Sequence, residues 1–325
     1  MSDNKQADRG RALKIGGLIV LALAVTIVPQ VVNLGDYILT LLVSLMVFIC
    51  LSESWNLMAG YAGQVNLGLA AYFGIGSLFY MFVYRAEAPW YVALLVGGLA
   101  GTGLSCVIGP PTLRLRGAYF GIGTMALAEA ARIVSTTLYA LPFWPPQSHW
   151  ATFTALKSYY IALAVAAATL AVAYGVTHSR LGLVLQAIRD DEDAANASGI
   201  NPAKYKMIVF MISSFLAGVA GGVVSYYRGN VSVPDMFLFD WTIGSIVSVT
   251  IGGWGTLTGP ILGSTIFVML REFFGRTLPT LYLIVSGIVF ILVILFLPDG
   301  LVSTGTVIRR VLASRARKAK TALSE

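Results

Sequence analysis

Residues 241–270 read WTIGSIVSVTIGGWGTLTGPILGSTIFVML, thirty positions without an Asp, Glu, Lys or Arg. A helix crossing a bilayer core needs about 20 apolar residues, so the stretch is too long for one ordinary span. Its centre decides the reading. Gly252-Gly253-Trp254-Gly255-Thr256-Leu257-Thr258-Gly259-Pro260 gathers residues that oppose helix continuation, Gly through backbone entropy and Pro through its missing N–H. The pattern predicts two short helices joined by a turn. Further apolar runs lie at 15–34, 37–52, 61–84, 90–108, 117–137, 158–178, 207–227 and 280–298. The expected fold class is an all-α integral membrane protein, a polytopic helical bundle with about ten transmembrane helices.

Composition agrees. Of 325 residues, 57% are hydrophobic and 11% charged, where soluble domains carry about 25% charged. Mean hydropathy is +0.79. Such a chain turns most of its surface to lipid, which excludes a cytosolic enzyme and a secreted disulfide scaffold. Cys50 and Cys106 both lie in apolar runs, and His149 and His178 are the only histidines, so no zinc site is expected.

The net charge of +7 is explained by its location. Lys5, Arg9, Arg11 and Lys14 precede the first run; Arg309, Arg310, Arg315, Arg317, Lys318 and Lys320 follow the last. Basic flanks beside apolar spans predict cytoplasmic termini, a better reading than nucleic-acid binding. Ala22-Leu23-Ala24 lies inside a run that continues to Leu34, which favours an uncleaved first span over a signal peptide. Residues 178–206 carry Arg180, Arg189, Lys204 and Lys206 and are expected on the cytoplasmic side too. Counting 241–270 as two spans returns the basic tail to that side, whereas counting it once strands the tail outside. The expected organisation is a basic N-terminus (1–14), a transmembrane domain (15–298) containing the cytoplasmic loop 178–206, and a basic tail (299–325).

Several polar features interrupt the apolar pattern. Ala71-Tyr72-Phe73-Gly74-Ile75-Gly76 recurs letter for letter at 118–123, either as paired pathway segments or as glycine-mediated helix contacts. Glu129 and Arg132 share a helix face and can neutralise each other, for transport or for structure. Glu53 is expected at a hydrated inner helix end. Gln64 and Asn66 sit among Gly60, Gly63 and Gly68, and irregular backbone at membrane depth survives only where protein or a water-filled cavity shields it. They are the candidate pathway residues, with Tyr72 and Tyr119 as neighbours. In the loop, Ala and Glu around Asp190–Ser198 predict a short helix, stopped by Gly199 and Pro202, with a flat Ala194/Ala195/Ala197/Ser198 surface. Small side chains suit insertion into a partner's groove; the alternative is a solvated connector.

The sequence Ser179-Arg180 with Gly182, then Ala187-Ile188-Arg189, Ala194-Ala195 and Gly199, resembles the cytoplasmic coupling loop of ABC-transporter permeases. More narrowly, the chain resembles the branched-chain amino-acid (Liv-type) permease family, M-type subunit. Asn56–Gly76 (NLMAGYAGQVNLGLAAYFGIG), Leu113–Ile133 (LRLRGAYFGIGTMALAEAARI), Gly252–Pro260 and Leu297-Pro298-Asp299-Gly300 agree, in family order. The resemblance implies an importer permease of the bacterial inner membrane that passes an amino acid from a periplasmic solute-binding protein. It implies a second, H-type permease and two cytoplasmic ABC ATPase subunits. Arg189, Asp190, Ala194, Ala195 and Gly199 then become the ATPase-coupling residues. Two departures leave the solute open: Asn66-Leu67-Gly68-Leu69 stands where the family usually shows Ser-Leu-Gly-His, and 138–158 lacks the usual Thr-Gly-Gly. Urea and short amides stay open as solutes. The rival classes are an ion-coupled secondary transporter and a structural membrane protein.

No lysine is preceded by Gly, so the chain has no Walker A Gly-Lys-Ser/Thr, and neither His-Glu-x-x-His nor Gly-x-Ser-x-Gly occurs. The expectation is a non-enzyme with no cofactor of its own, ATP being used by partner subunits.

Overall fold

The computed structural model describes residues 29–30, 35–139, 144–277, 287–288, 291, 295 and 300–302. The first and last apolar runs (apart from isolated positions), Leu297-Pro298-Asp299 and both basic tails lie outside the described residues. Twelve helices are described: α1 (Asp36–Asn56, continued by a π turn, Leu57–Tyr61), α2 (Leu69–Arg85), α3 (Trp90–Thr112), α4 (Ala118–Leu138), α5 (Gln147–Thr152) and α6 (Ala155–Thr177). Then follow α7 (Arg180–Asp190), α8 (Glu192–Ala197), α9 (Pro202–Arg228), α10 (Val233–Met236), α11 (Asp240–Gly252) and α12 (Gly259–Thr277). Among the described residues, four helices are long and apolar enough to cross a membrane: Asp36–Tyr61, α3, α6 and α9.

Helix starts follow local chemistry. Thr154, Ser179, Asp191 and Asn201 precede α6, α7, α8 and α9, and each side chain accepts a hydrogen bond from an N–H of the first turn. Pro202 opens α9 and Gly229, at φ 68°, closes it.

α9 is the hub, packed against α1, α2, α3 and α6. Glycine permits the approach. A Cβ on Gly101 would meet Ser214 O at 2.5 Å, one on Gly97 would meet Gly76 O at 2.7 Å, and one on Gly221 would collide with Phe73 O. The first copy of the repeated hexapeptide lies in this seam, through Phe73 and Gly76. Without a hydrophobic force between helices in lipid, such close contacts and interhelical hydrogen bonds hold the bundle. Ser54 Oγ donates to Ser213 O (2.7 Å) while Ser213 Oγ donates to Ser54 O (2.8 Å), and the Ser77 and Ser225 hydroxyls lie 2.6 Å apart.

The turn expected inside 241–270 is present at residues 253–258, between α11 and α12. The two helices close on each other where Gly252 meets Gly259 and Gly263 meets Ser248 O. α11 has 13 residues, a rise of about 20 Å against a core of about 30 Å.

Side-chain bonds sort the loops into two ends. At one, residues 57–68, 113–117, 178–201 and 253–258 are linked by Arg189–Gly60, Arg116–Asp193 and Asn56–Thr256. At the other, Tyr37 OH donates to Glu272 (2.9 Å), Tyr84 OH lies 2.9 Å from His149 Nδ1, and Arg271 pairs with Asp240 (3.3 Å).

The glycine seam makes a direct prediction. Gly221→Val forces a methyl into Phe73 O and should cost at least about 1–3 kcal/mol, the usual range for overpacking. Gly175, on α6, has nothing within 4 Å of a built Cβ. Gly175→Ala should therefore leave the melting temperature in detergent unchanged or raised while Gly221→Val lowers it.

Candidate coupling and pathway site

The site begins where α1 stops being an α-helix. After Asn56 the backbone widens into the π turn, and the Gln64 N–H reaches back to Met58 O at 3.0 Å. Residues 63–68 are not helical, with Gly63 at φ 68°. Protein groups satisfy this irregular, mostly buried backbone. Trp55 Nε1 donates to Asn66 O (2.7 Å), Leu67 N donates to Thr124 Oγ1 (3.1 Å), and Gly68 N donates to Asn66 Oδ1 (2.8 Å).

The four pathway candidates do not share one lining. Asn66 is fully buried with no hydrogen-bond partner for Nδ2 among the described residues, and Gln64 beside it is buried too. Tyr72 is enclosed, its ring 5.4 Å from that of Phe210. Tyr119 is 73% exposed on α4, while its neighbour Phe120 turns inward to Phe210. Tyr119, expected with Tyr72 as a neighbour of Gln64 and Asn66, faces outward because successive helix positions point about 100° apart and the phase of α4 directs 120, 121 and 124 inward. Glu53 also departs from expectation. It is fully buried on α1, which packs against α6 and α9.

The loop 178–206 contains two helices rather than one. Asp191 is extended (φ −155°, ψ 108°), and its Oδ1 accepts from Asp193 N (3.0 Å) and Ala194 N (2.9 Å). Arg189 and Asp190 consequently end α7, and α8 starts afresh at Glu192. Ala195 is buried, which removes it from the flat surface; the outward face is Ala194, Ala197 and Ser198. Gly199 has φ 84° with open space around it, so the backbone conformation, not crowding, demands glycine.

Three segments meet at the π turn. Arg189 Nη1 donates to Gly60 O at 2.8 Å. The Asn56 carboxamide clamps the 253–258 turn, donating to Thr256 O and accepting from Gly255 N, both at 2.9 Å. Trp55 and Trp254 meet edge to face at 5.0 Å. Two ion pairs hold α8: Glu192 with Lys206 (2.7 Å), whose side chain is 2% exposed, and Asp193 with Arg116 (3.2 Å), exposed on both sides. Sequence reading missed Asn56 and Lys206 as ties. The available signal was a polar residue set inside, or at the start of, an apolar run.

Glu129 and Arg132 form the expected pair, Arg132 Nε donating to Glu129 Oε2 at 2.9 Å, with side chains 51% and 34% exposed. A charged residue at the centre of a lipid-facing helix costs about 2.5–3.5 kcal/mol on insertion scales, so pairing relieves a real burden.

Comparison with known proteins follows the same lines. The family described as "Branched-chain amino acid transport system / permease component" matches residues 37–294. The high-affinity branched-chain amino acid transport system permease protein LivM of Escherichia coli is 27% identical over 317 residues, covering 87% of this chain and 73% of that protein. A probable LivM of Methanocaldococcus jannaschii is 23% identical, covering 73% and 81%. The Escherichia coli permease protein LivH is 22% identical, covering 84% and 83%.

Asn56→Leu leaves Gly255 N and Thr256 O without their partner. Losing such buried bonds should speed amide exchange across 253–258 by roughly 5- to 150-fold. Hydrogen-exchange mass spectrometry of the purified chain in detergent reads it; unchanged exchange would show that the turn holds without the clamp.

Proposed function

The chain belongs to the branched-chain amino acid transport system permease component family, and from that premise we propose that it is the membrane subunit of an ATP-binding-cassette importer for a branched-chain or related amino acid. In this reading it sits in the bacterial inner membrane with both termini cytoplasmic and about ten spans. It pairs with an H-type permease, receives solute from a periplasmic binding protein, and is driven by two ATPase chains that hold the ATP.

The observation that carries the reading is the mounting of α8. A six-residue helix is unstable alone and transmits no force unless anchored. Here Glu192 and Asp193 anchor it to α9 and to the segment before α4, and Arg189 anchors the adjoining end of α7 to the π turn. What remains outward is a small-residue face of Ala194, Ala197 and Ser198, suited to a shallow groove on a partner. A push on that face is carried to α1, α4 and α9 together.

One observation favours a second reading. Glu53 is a fully buried acid on a helix that is long and apolar enough to cross a membrane, the kind of group that ion-coupled transporters use. The two readings part on energy: the importer takes up solute with ATP and is indifferent to a protonophore, whereas the ion-coupled carrier needs no ATP.

The docking face sets the test. Ala197→Trp adds bulk to an outward position, which should weaken ATPase co-purification by roughly 5- to 150-fold, the equivalent of an overpacked contact. Transport in ATP-loaded vesicles should fall with it, while the membrane bundle elutes as wild type. Ala195→Trp is the contrasting variant, because it strikes the buried side of α8 and should disturb folding first. Retention of both partner and uptake by Ala197→Trp would reduce the loop to a connector.

A further inference from the structure

α4 carries a feature that coupling does not use. Trp90 at the start of α3 lines the same cavity as Thr154 and Leu156 at the start of α6, so those two helices begin at one end of the molecule. α3 finishes at the other end, where Arg116 bonds to Asp193 of the loop. The chain from Thr112 to Ala155 must cross between them, and α4, of 21 residues, has the length to do so, although it is more polar than the four helices apolar enough to cross a membrane. Glu129 lies one residue past its midpoint, which puts the Glu129–Arg132 pair near mid-depth.

The pair also lies on the open side. Phe120, Gly121, Thr124 and Ser135 turn inward, whereas Tyr119, Ile122, Met125, Glu129 and Ile133 follow helical spacing along the exposed face. Both Glu129 oxygens accept from Arg132 Nε and Nη2, and Arg132 Nη1 makes no hydrogen bond to the described residues. A half-exposed carboxylate and guanidinium with a free donor edge, at mid-depth, belong against water or a polar ligand rather than acyl chains.

We propose that Glu129 and Arg132 are a station on the translocation path that receives the two charged ends of an α-amino acid, the carboxylate on the free edge of Arg132 and the ammonium on Glu129. Each protein charge meets the opposite charge of the zwitterion while it stays beside its neighbour, so no isolated charge is created at depth. The aliphatic part of the solute then lies along Ile122, Met125 and Ile133. This rests on the transporter reading and gives it a solute class, zwitterionic rather than an uncharged amide. The solvated Arg116–Asp193 pair places the start of the same helix beside α8.

The test uses the assembled transporter in membrane vesicles. Cys50 is buried and Cys106 exposed, so the background is Cys106→Ser. Ile133→Cys should react with a trimethylammonium methanethiosulfonate reagent, because its face is hydrated; absence of labelling overturns the proposal. Glu129→Gln and Arg132→Gln should each lower L-leucine uptake by roughly 10- to 150-fold, the range for a lost charge-assisted hydrogen bond, with ATPase co-purification unchanged. The double swap Glu129→Arg with Arg132→Glu rebuilds an ion pair but inverts the station, and uptake should stay low. Wild-type uptake by the swap, or by either single variant, would mean that the pair is structural. If unmodified vesicles with ATP take up no L-leucine, the transporter reading fails, while labelling at Ile133→Cys still decides whether the face is hydrated.

Discussion

The bundle depends on one requirement: buried backbone that leaves helical geometry must find its hydrogen bonds inside the protein. The chain breaks its helices twice in places that touch, after Asn56 and after Gly252. Asn56 answers both, because a carboxamide can donate and accept at once, and it spends one group on Thr256 O and the other on Gly255 N. Gly60 must lie against this clamp, since any Cβ there would strike Asn56 Oδ1 and Gly255 N. Arg189 then takes the Gly60 carbonyl. A loop that would otherwise hang from α6 and α9 is thereby fastened to the least regular part of α1, where small rearrangements cost least helix.

Charge placement at the loop follows a similar economy of partners. All four consecutive acids are committed. Asp190 pairs with Arg189, Asp191 caps α8, Glu192 meets the buried Lys206, and Asp193 meets Arg116. The contacts differ in weight: Arg116–Asp193 is solvated and adds little by itself, whereas removing either member of Lys206–Glu192 strands a charge with restricted access to water. Beside the paired Asp193 and the amide of Asn196, the exposed residues Ala194, Ala197 and Ser198 are small and neutral. Recognition of a partner there falls to shape, with charge used inward to hold the helix still.

Much of this was legible in the sequence, for identifiable reasons. The turn at 253–258, the broken segment around Gln64 and Asn66, the helix stop before Gly199 and the Glu129–Arg132 pair each follow from a local rule: glycine and proline chemistry or helical spacing. The failures are cases where local rules are degenerate. Four acids in a row offer several possible caps for one helix, and only the extended conformation of Asp191 selects among them. The inward turn of Ala195 depends on the phase of a helix whose start was therefore misplaced. Glu53 looked hydrated because it sits at a helix end, but α6 covers that end.

The repeated hexapeptide shows where such reading stops. Two identical strings, 71–76 and 118–123, both open helices and both place Phe against another aromatic ring, Phe73 on Trp241 and Phe120 on Phe210. Yet Tyr72 is buried and Tyr119 open. Nothing within the six letters can distinguish them. The difference lies in what surrounds each helix: α2 is enclosed by α3 and α9, with Gly76 against Gly218, whereas α4 touches the bundle along one narrow side. A segment that is packed all round in one copy is half unpaired in the other, and the unpaired copy is the one that carries a carboxylate and a guanidinium two turns further on. Identical local sequence with opposite exposure places the demand for a partner, or for water, on α4 alone.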